Sequence, residues 1–460
     1  MAELHYKIED RPPFKKAIVY AFQHILTMLG GTVAVPAIIA SQLGLTAGET
    51  ALLISNVLLA MGIATALQSY FGNKLPIIQG SSFAFIPSIL LIISQGHETP
   101  KDALQYIMGA IILGSLFQVI IGFLGLAGRI QRLLTPTVIG PVVMMIGLSV
   151  FSVATSQAST YWPIAIFTIV LIFFFSYGKP FSNPKKRFYI ISSLSILTSI
   201  LIAYFLSVLL SVLGVFHEEH PATIPLHNLN FDVLRSSFPF FTWGTPKFSF
   251  TYTLIIIIAY FVSTFESLGD YNAVAEIAEY EDEETGSTKL SDKKINRGIL
   301  FEGIGCFIAG LIGANPTTSY SENIGLIGIS KVASRKITFL GGLLLIVLGL
   351  IPFFGSFLST ISTPIMGGLY CVLFGMIIGI GVKITAKSDL TDMRNVSIIG
   401  FTLLMAFGIP EYINAPETQK ALFNYSETLK DIISGIFGSQ MAVAAFFGLL
   451  LDSLIPRLKT

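Results

Sequence analysis

The sequence predicts an all-α polytopic membrane protein of fourteen spans, arranged as two oppositely oriented repeats of seven. Three observations carry this: a shortage of charge, a succession of apolar runs long enough to cross a bilayer, and broken segments that recur at matching places. Of 460 residues, 53% are hydrophobic and only 12% charged, about half of the roughly 25% found in ordinary soluble domains. Too little charge remains to cover a water-facing surface, so the partner of most of this surface is the lipid bilayer. A net charge of +1 offers no basic face to nucleic acid. The two cysteines, Cys306 and Cys371, sit in apolar runs and make neither a disulfide framework nor a thiolate metal site. Residues 1–16 are polar and lack the short apolar core of a cleavable signal, which leaves targeting to the first span.

A membrane helix takes about 20 mostly apolar residues. Runs of that kind begin near Ala17, Ala51, Leu104, Tyr161, Phe188, Phe250, Ile299, Phe339, Ile365, Val396 and Ile432. Three weaker segments, Pro76–Ser94, Pro136–Val153 and Thr317–Val332, are interrupted by Gly, Pro and Ser. With both termini on one side, 23 of the 28 Lys and Arg lie on that side, and only Lys101, Arg235, Lys247, Lys420 and Lys430 on the other. Basic loops mark the cytoplasm, so both termini are expected there. No Lys or Arg is left for the membrane interior, which opposes a voltage sensor or an arginine-lined pore.

The repeat shows in Thr135-Pro136-Thr137-Val138-Ile139-Gly140, echoed by Thr363-Pro364-Ile365-Met366-Gly367. Broken segments around Gly80-Ser81-Ser82 and Ser321-Glu322-Asn323 precede the two copies. Seven spans per half is odd, so the halves point in opposite directions. Such repeats with interrupted helices at matching places mark the binding site of a secondary transporter. Two loops are set aside. Glu276–Lys294 reads as a charged cytoplasmic connector. His217-Glu218-Glu219-His220 superficially resembles a zinc motif, but its histidines are three apart in a Pro-flanked loop, where the metalloprotease pattern needs four on a helix. The following Phe238-Pro239-Phe240-Phe241-Thr242-Trp243 stretch reads as an interfacial aromatic anchor.

Ionisable residues inside spans are expensive and mark function. Glu266 and Asp270 lie i, i+4 on one face of the eighth span. With no interior cation to pair them, two carboxylates in a low-dielectric site cannot both stay ionised cheaply, and one becomes able to exchange a proton. His24, after Gln23, lies in the first span and Glu322 in the tenth, while Glu302, five residues beyond Arg297, reads as a membrane-edge residue. Glycine and serine at the breaks expose backbone N–H and C=O groups, tolerated at membrane depth only where they line a cavity or are buried in protein. Phe83 and Tyr320 beside them offer flat faces. Flat faces, carboxylates and free amides suit a small planar ligand such as a nucleobase.

At these residues the chain resembles the nucleobase–ascorbate transporter family, in particular its bacterial uracil/xanthine permeases. The tenth-span signature of that family is matched by Glu322-Asn323-Ile324-Gly325-Leu326-Ile327-Gly328-Ile329-Ser330-Lys331, with Ser330 where the family has Thr. Gln23-His24, Gly80-Ser81-Ser82-Phe83-Ala84-Phe85 and Glu266-Ser267-Leu268-Gly269-Asp270-Tyr271 also match in order, so the resemblance runs from about Arg11 to Pro456. It implies short strands opening spans three and ten, with substrate between them. It further implies a core domain of residues 17–128 and 248–357 and a gate domain of 136–214 and 363–456. Substrate would meet Phe83, Ser81, Glu266, Tyr320, Ser321 and Glu322. Coupling would fall to Glu266, Asp270 and Glu322, with Gln23, His24, Asn323 and Gly325 in support. Uracil carriers of the family have His where this chain has Asp270, and xanthine carriers Gln where it has Glu322.

The expectation is a plasma-membrane nucleobase importer, for uracil foremost and xanthine next. It would use a proton, or else sodium, as coupling ion, need no other cofactor or metal, and form a homodimer. The alternative is an anion or dicarboxylate carrier on the same seven-plus-seven fold, which the acidic site opposes. An enzyme is not expected, since no nucleophile–base or metal constellation stands out.

Overall fold

Most helices start where the sequence supplies a cap. Thr46 accepts from the Glu49 amide while the Glu49 carboxylate accepts from the Thr46 amide, a reciprocal capping box. Thr99, Ser249 and Ser439 each accept from the amide three residues on, which satisfies one otherwise orphaned donor. In the computed structural model, residues 4–129, 135–178, 180, 194–217, 219–229, 239–281, 286, 287, 289–415, 417, 418, 433 and 437–456 are described, with backbone alone for Gly30, Ser321, Glu322 and Ile329.

The first half comprises α1 (Phe14–Leu43), α2 (Ala47–Tyr70), β1 (Gln79–Ser81), α3 (Ile86–Ser94), α4 (Pro100–Phe123), α5 (Pro136–Ser149), α6 (Phe151–Ser159), α7 (Trp162–Tyr177) and α8 (Ser195–Val212). The second comprises α9 (Phe250–Ile277), α10 (Asp292–Ile312), β2 (Thr317–Ser319), α11 (Ser321–Ser330), α12 (Arg335–Leu350), α13 (Pro352–Ser359), α14 (Thr363–Thr385), α15 (Met393–Asn414) and α16 (Gln440–Leu454). The starts of the runs near Phe188 and Ile432 lie outside the described residues. Among those described, nine helices are long and apolar enough to cross a membrane. Taken as one span, α12 with α13 makes a tenth; the pair turns through 80° ahead of Pro352, because proline cannot continue the hydrogen-bond ladder. The remaining segments are short helices or strand–helix pairs, so helix length alone does not reach fourteen crossings.

The packing survives exchange of the two halves. α2 packs on α12 as α10 packs on α4, and α1 packs on α12 as α9 packs on α4. Likewise α7 with α8 mirrors α15 with α16, and α14 with α7 mirrors α5 with α15. Glycines sit at the mirrored crossings: a Cβ on Gly62 of α2 would come 2.6 Å from the Gly342 carbonyl of α12, and one on Gly303 of α10 would come 2.8 Å from the Val119 amide of α4. Small residues let backbones approach where lipid supplies no hydrophobic drive between helices. β1 and β2 pair antiparallel, with Gly80 opposite Thr318, as oppositely oriented repeats require. The result is an inverted-repeat membrane fold. Val170, Phe173, Phe205, Leu209 and Leu404 are exposed on α7, α8 and α15, a surface suited to lipid rather than water.

Two groups of helices result. α1, α2, α4, α9, α10 and α12 pack among themselves around the strands, and α5–α8 with α14–α16 form the second group. Several loop expectations need correction. Trp243 is not an interfacial anchor: it is buried, donates its Nε1–H to the Gly313 carbonyl at 2.8 Å, and fills the space beside that left-handed glycine. The Glu276–Lys294 connector is not wholly solvated, because Tyr280 and Leu290 are buried and Lys294 lies 4.4 Å over the Tyr280 ring. His220 stacks on Phe216 at 4.3 Å and takes part in a local turn through the Ala222 amide; Glu218 lies outside the described residues.

Candidate functional site

The site forms where both broken spans meet. Pro76 and Pro316 stand in the stretches just ahead of each strand, and the strands satisfy one another's backbone, as membrane depth demands. Beyond the ladder, the Ser82 amide donates to the Pro316 carbonyl at 3.1 Å and the Tyr320 amide to the Ile78 carbonyl at 3.0 Å. Thr65 of α2 accepts from the Gln79 amide at 2.9 Å. The Tyr320 ring lies against Gly80, where a Cβ would fall 2.1 Å from it. Only glycine permits that approach.

Between the two helix groups lies a cavity of about 580 Å³. From the first group Ser81, Phe83, Glu266, Asp270, Ser319 and Tyr320 line it; from the second Ile139, Ile146, Leu373, Ile380, Lys383 and Lys387. Glu266 and Asp270 occupy one face of α9, and Gly269 beside them leaves open space toward the cavity. The Ser319 hydroxyl donates to Asp270 Oδ2 at 2.7 Å, tying the carboxylate to β2. Phe83 is half-buried, with its ring centroid 6.2 Å from that of Phe374 on α14. Carboxylates, hydroxyls and a phenyl face thus converge on one apolar-walled space, which can take a small planar molecule with N–H donors.

The pattern that defines the Permease family matches residues 15–415. The chain belongs to this family. The resemblance to nucleobase–ascorbate transporters is thereby shown over nearly the whole permease. It is 31% identical over 496 aligned residues to solute carrier family 23 member 2 of Mus musculus, with 99% of this chain and 75% of that protein covered. Nucleobase-ascorbate transporter 11 of Arabidopsis thaliana is 28% identical, with 99% and 70% covered. Among solved structures, the transmembrane domain of the cyanobacterial bicarbonate transporter BicA aligns with a TM-score of 0.52 at 13% identity, covering 97% of this chain and 99% of that one. SLC26A9 aligns with a TM-score of 0.61 at 12% identity, covering 96% and 66%. At such identity these two share the fold and nothing more is read from them. The permease's relatives are transporters and not enzymes.

The other expected residues of the permease distribute as follows. The side chains of Ser321 and Glu322 lie outside the described residues. His24 and Asn323 are buried away from the cavity lining: Asn323 Nδ2 donates to the His24 carbonyl at 3.0 Å and lies 3.1 Å from His24 Nδ1, which joins α1 to α11. Gln23 is half-buried and Gly325 exposed, and neither lines the cavity. Among the described residues no cluster of three or more His, Cys, Asp or Glu could hold a metal ion.

One reading of the sequence is overturned. Glu302 is not at the membrane edge. It is fully buried and accepts hydrogen bonds from Ser267 Oγ at 2.6 Å, Tyr271 Oη at 2.9 Å and Gln118 Nε2 at 3.0 Å. Proximity to Arg297 misled, because α10 begins already at Asp292 and Glu302 lies three turns in. Its spacing with Gly298 and Cys306 on the inward face was the available signal. Lys383, by contrast, lies exposed in the last turn of α14, where it lines the cavity.

Proposed function

We propose that the permease imports a nucleobase by symport with a proton, uracil foremost and xanthine next. The observation that carries this is the convergence of Glu266, Asp270 and Phe83 on one cavity beside the paired strands. Glu266 accepts from a ring N–H of the base and exchanges the coupling proton, while Asp270, held by Ser319, tunes that carboxylate. Phe83 stacks on the ring, and Ser81, Tyr320, Ser321 and Glu322 complete the site. Gln23, His24, Asn323 and Gly325 support it from behind. Apart from the coupling ion no cofactor is needed; sodium is the alternative ion.

Residues 17–128 with 248–357 act as the core and residues 136–214 with 363–456 as the gate, each moving against the other for alternating access. The cavity reaches Pro136, Lys383 and Lys387, the side given to the cytoplasm by the excess of basic residues. On this reading the conformation is inward-facing, and the permease works as a homodimer in the plasma membrane with cytoplasmic termini. A carrier of anions or dicarboxylates would want cations beside the substrate, where the space next to the paired strands has carboxylates and the lysines stand at the mouth. Uptake by proteoliposomes under an imposed proton or sodium gradient tests the reading, with uracil, xanthine, other purines and ascorbate as competitors. Concentrative uptake of uracil on the proton gradient is expected. Uptake of a dicarboxylate or ascorbate that no base competes would overturn it.

A further inference from the structure

We propose that the mouth of the cavity recognises the phosphate of a nucleoside 5′-monophosphate whose base occupies the deeper site, so that the nucleotide form of the cargo inhibits from the cytoplasmic side. This rests on the nucleobase reading above.

The cavity has two charged ends. Glu266 and Asp270 stand at one, and Lys383 and Lys387 at the other, with Ile377, Ile380 and Ile384 of α14 along the wall between. Lys383 lies in the last turn of α14 and Lys387 in the turn that follows the helix, and both line the cavity. Nearby carboxylates are engaged elsewhere. Asp389 accepts from the Thr391 amide and hydroxyl, Asp392 caps α15 through the Arg394 amide, and Asp452 accepts from Arg394 and Thr135. Among the described residues neither lysine has an ion pair. Two exposed ammonium groups without an ion pair at the open mouth of the cavity suit a phosphomonoester, which lysine binds as a point charge.

Dimensions favour a nucleotide over a free anion. Phe374, beside Phe83, precedes Lys383 by nine residues, about 13 Å along the helix at 1.5 Å per residue. Helical side chains lean toward the N-terminus, which for α14 is toward the cavity's interior. The Lys383 side chain therefore leans back toward the base, leaving room for one pentose between. The volume of about 580 Å³ exceeds what one base fills. The deep carboxylates would repel phosphate, which fixes the orientation: base inward, phosphate at the mouth. A phosphoribosyl transfer to the imported base is the class of reaction that makes this ligand.

The test uses the purified full chain in nanodiscs of zwitterionic lipid at low ionic strength. Binding of each radiolabelled base is competed with the base, its nucleoside, its 5′-monophosphate and inorganic phosphate. The monophosphate is expected to compete about tenfold better than the nucleoside, a factor typical of one charge-assisted contact. The pair Lys383→Gln and Lys387→Gln together should erase that advantage while base affinity stays unchanged, which also certifies folding. A nucleoside as potent as its monophosphate would overturn the proposal, as would an advantage that survives the double substitution. Inorganic phosphate displacing base as well as the nucleotide does would overturn it too, since the base would then contribute nothing. If no base binds at all, the nucleobase reading itself fails and takes the nucleotide site with it.

Discussion

Glu302→Ala should be the most damaging single substitution outside the cavity, and the hydrogen bonds around it set the size of the effect. The side chain is fully buried and receives Ser267, Tyr271 and Gln118. Once it is gone, Ser267 can still turn to Thr318 Oγ1 at 3.0 Å and Gln118 to Thr264 Oγ1 at 3.3 Å. The Tyr271 hydroxyl, already accepting from Gln68 Nε2 at 2.7 Å, loses the acceptor for its own proton. An orphaned buried donor costs about 1–3 kcal/mol, and the vacated space adds a cavity penalty, for a total of about 3–5 kcal/mol. Glu302→Gln should cost far less, about 1 kcal/mol. Gln118 Oε1 has no hydrogen-bond partner among the described residues, so a flip of the Gln118 amide would offer it to the new NH₂. Chemical unfolding in detergent, followed by the fluorescence of Trp243, which packs against the end of α10, measures both. Equal losses for the two variants, or a loss below about 1 kcal/mol for alanine, would refute the argument that the network rests on this carboxylate.

Four further outcomes are expected. Glu266→Gln should abolish uphill uptake yet permit exchange of base across the membrane, because an amide cannot cycle a proton; Asp270→Asn should be milder, and concentrative uptake by the Gln variant would remove Glu266 from coupling. Gly80→Ala should displace the Tyr320 ring and weaken base binding at least about tenfold, whereas Gly379→Ala, whose Cβ meets nothing within 4 Å, should bind normally. The Arg335 guanidinium holds Glu9 below the usual carboxylate range. Its contribution is therefore present above about pH 4.3 and is lost as pH falls through the lowered value; with Glu9 more than half exposed it amounts to at most about 1 kcal/mol, and Glu9→Gln should flatten unfolding between pH 7 and pH 3. A lone cysteine at Ser287, in a chain lacking Cys306 and Cys371, should resist impermeant thiol reagents in whole cells, and ready labelling from outside would reverse the assigned orientation.

The fold was legible because its causes are local and repeated. Apolar runs, segments interrupted by glycine, proline and serine, and the repeated Thr135-Pro136 and Thr363-Pro364 each announce an element in the chain itself. The broken spans were legible too, since glycine and serine at membrane depth have few other uses. What stayed hidden depends on partners distant in sequence. Nothing near Trp243 says that Gly313 lies open for it 70 residues away. Nothing near Glu302 says that Ser267, Tyr271 and Gln118 converge on it from two other helices. The sharp bend between α12 and α13 could have been read from Pro352, because that run contains a proline that no straight helix absorbs.

The repeat is symmetric in backbone and asymmetric in chemistry, and electrostatics explains why. α1 and α9 hold equivalent places in the packing, yet α9 carries Glu266 and Asp270 while the polar pair of α1 is Gln23 and His24. Because β1 and β2 meet in one antiparallel pair, the two halves build a single cavity between them instead of one each. A faithful copy of the acidic pair on α1 would crowd four carboxylates around that space, and each added charge in a low-dielectric site raises the cost of ionising the others. The first half instead supplies uncharged surface, with Ser81 and Phe83 at the cavity, while its polar pair turns aside and His24 meets Asn323. That bond fastens α1 to the half-helix α11, whose first turn bears Glu322. One half thus supplies titratable groups and the other an aromatic face, a division that suits the proton-coupled nucleobase carrier proposed above.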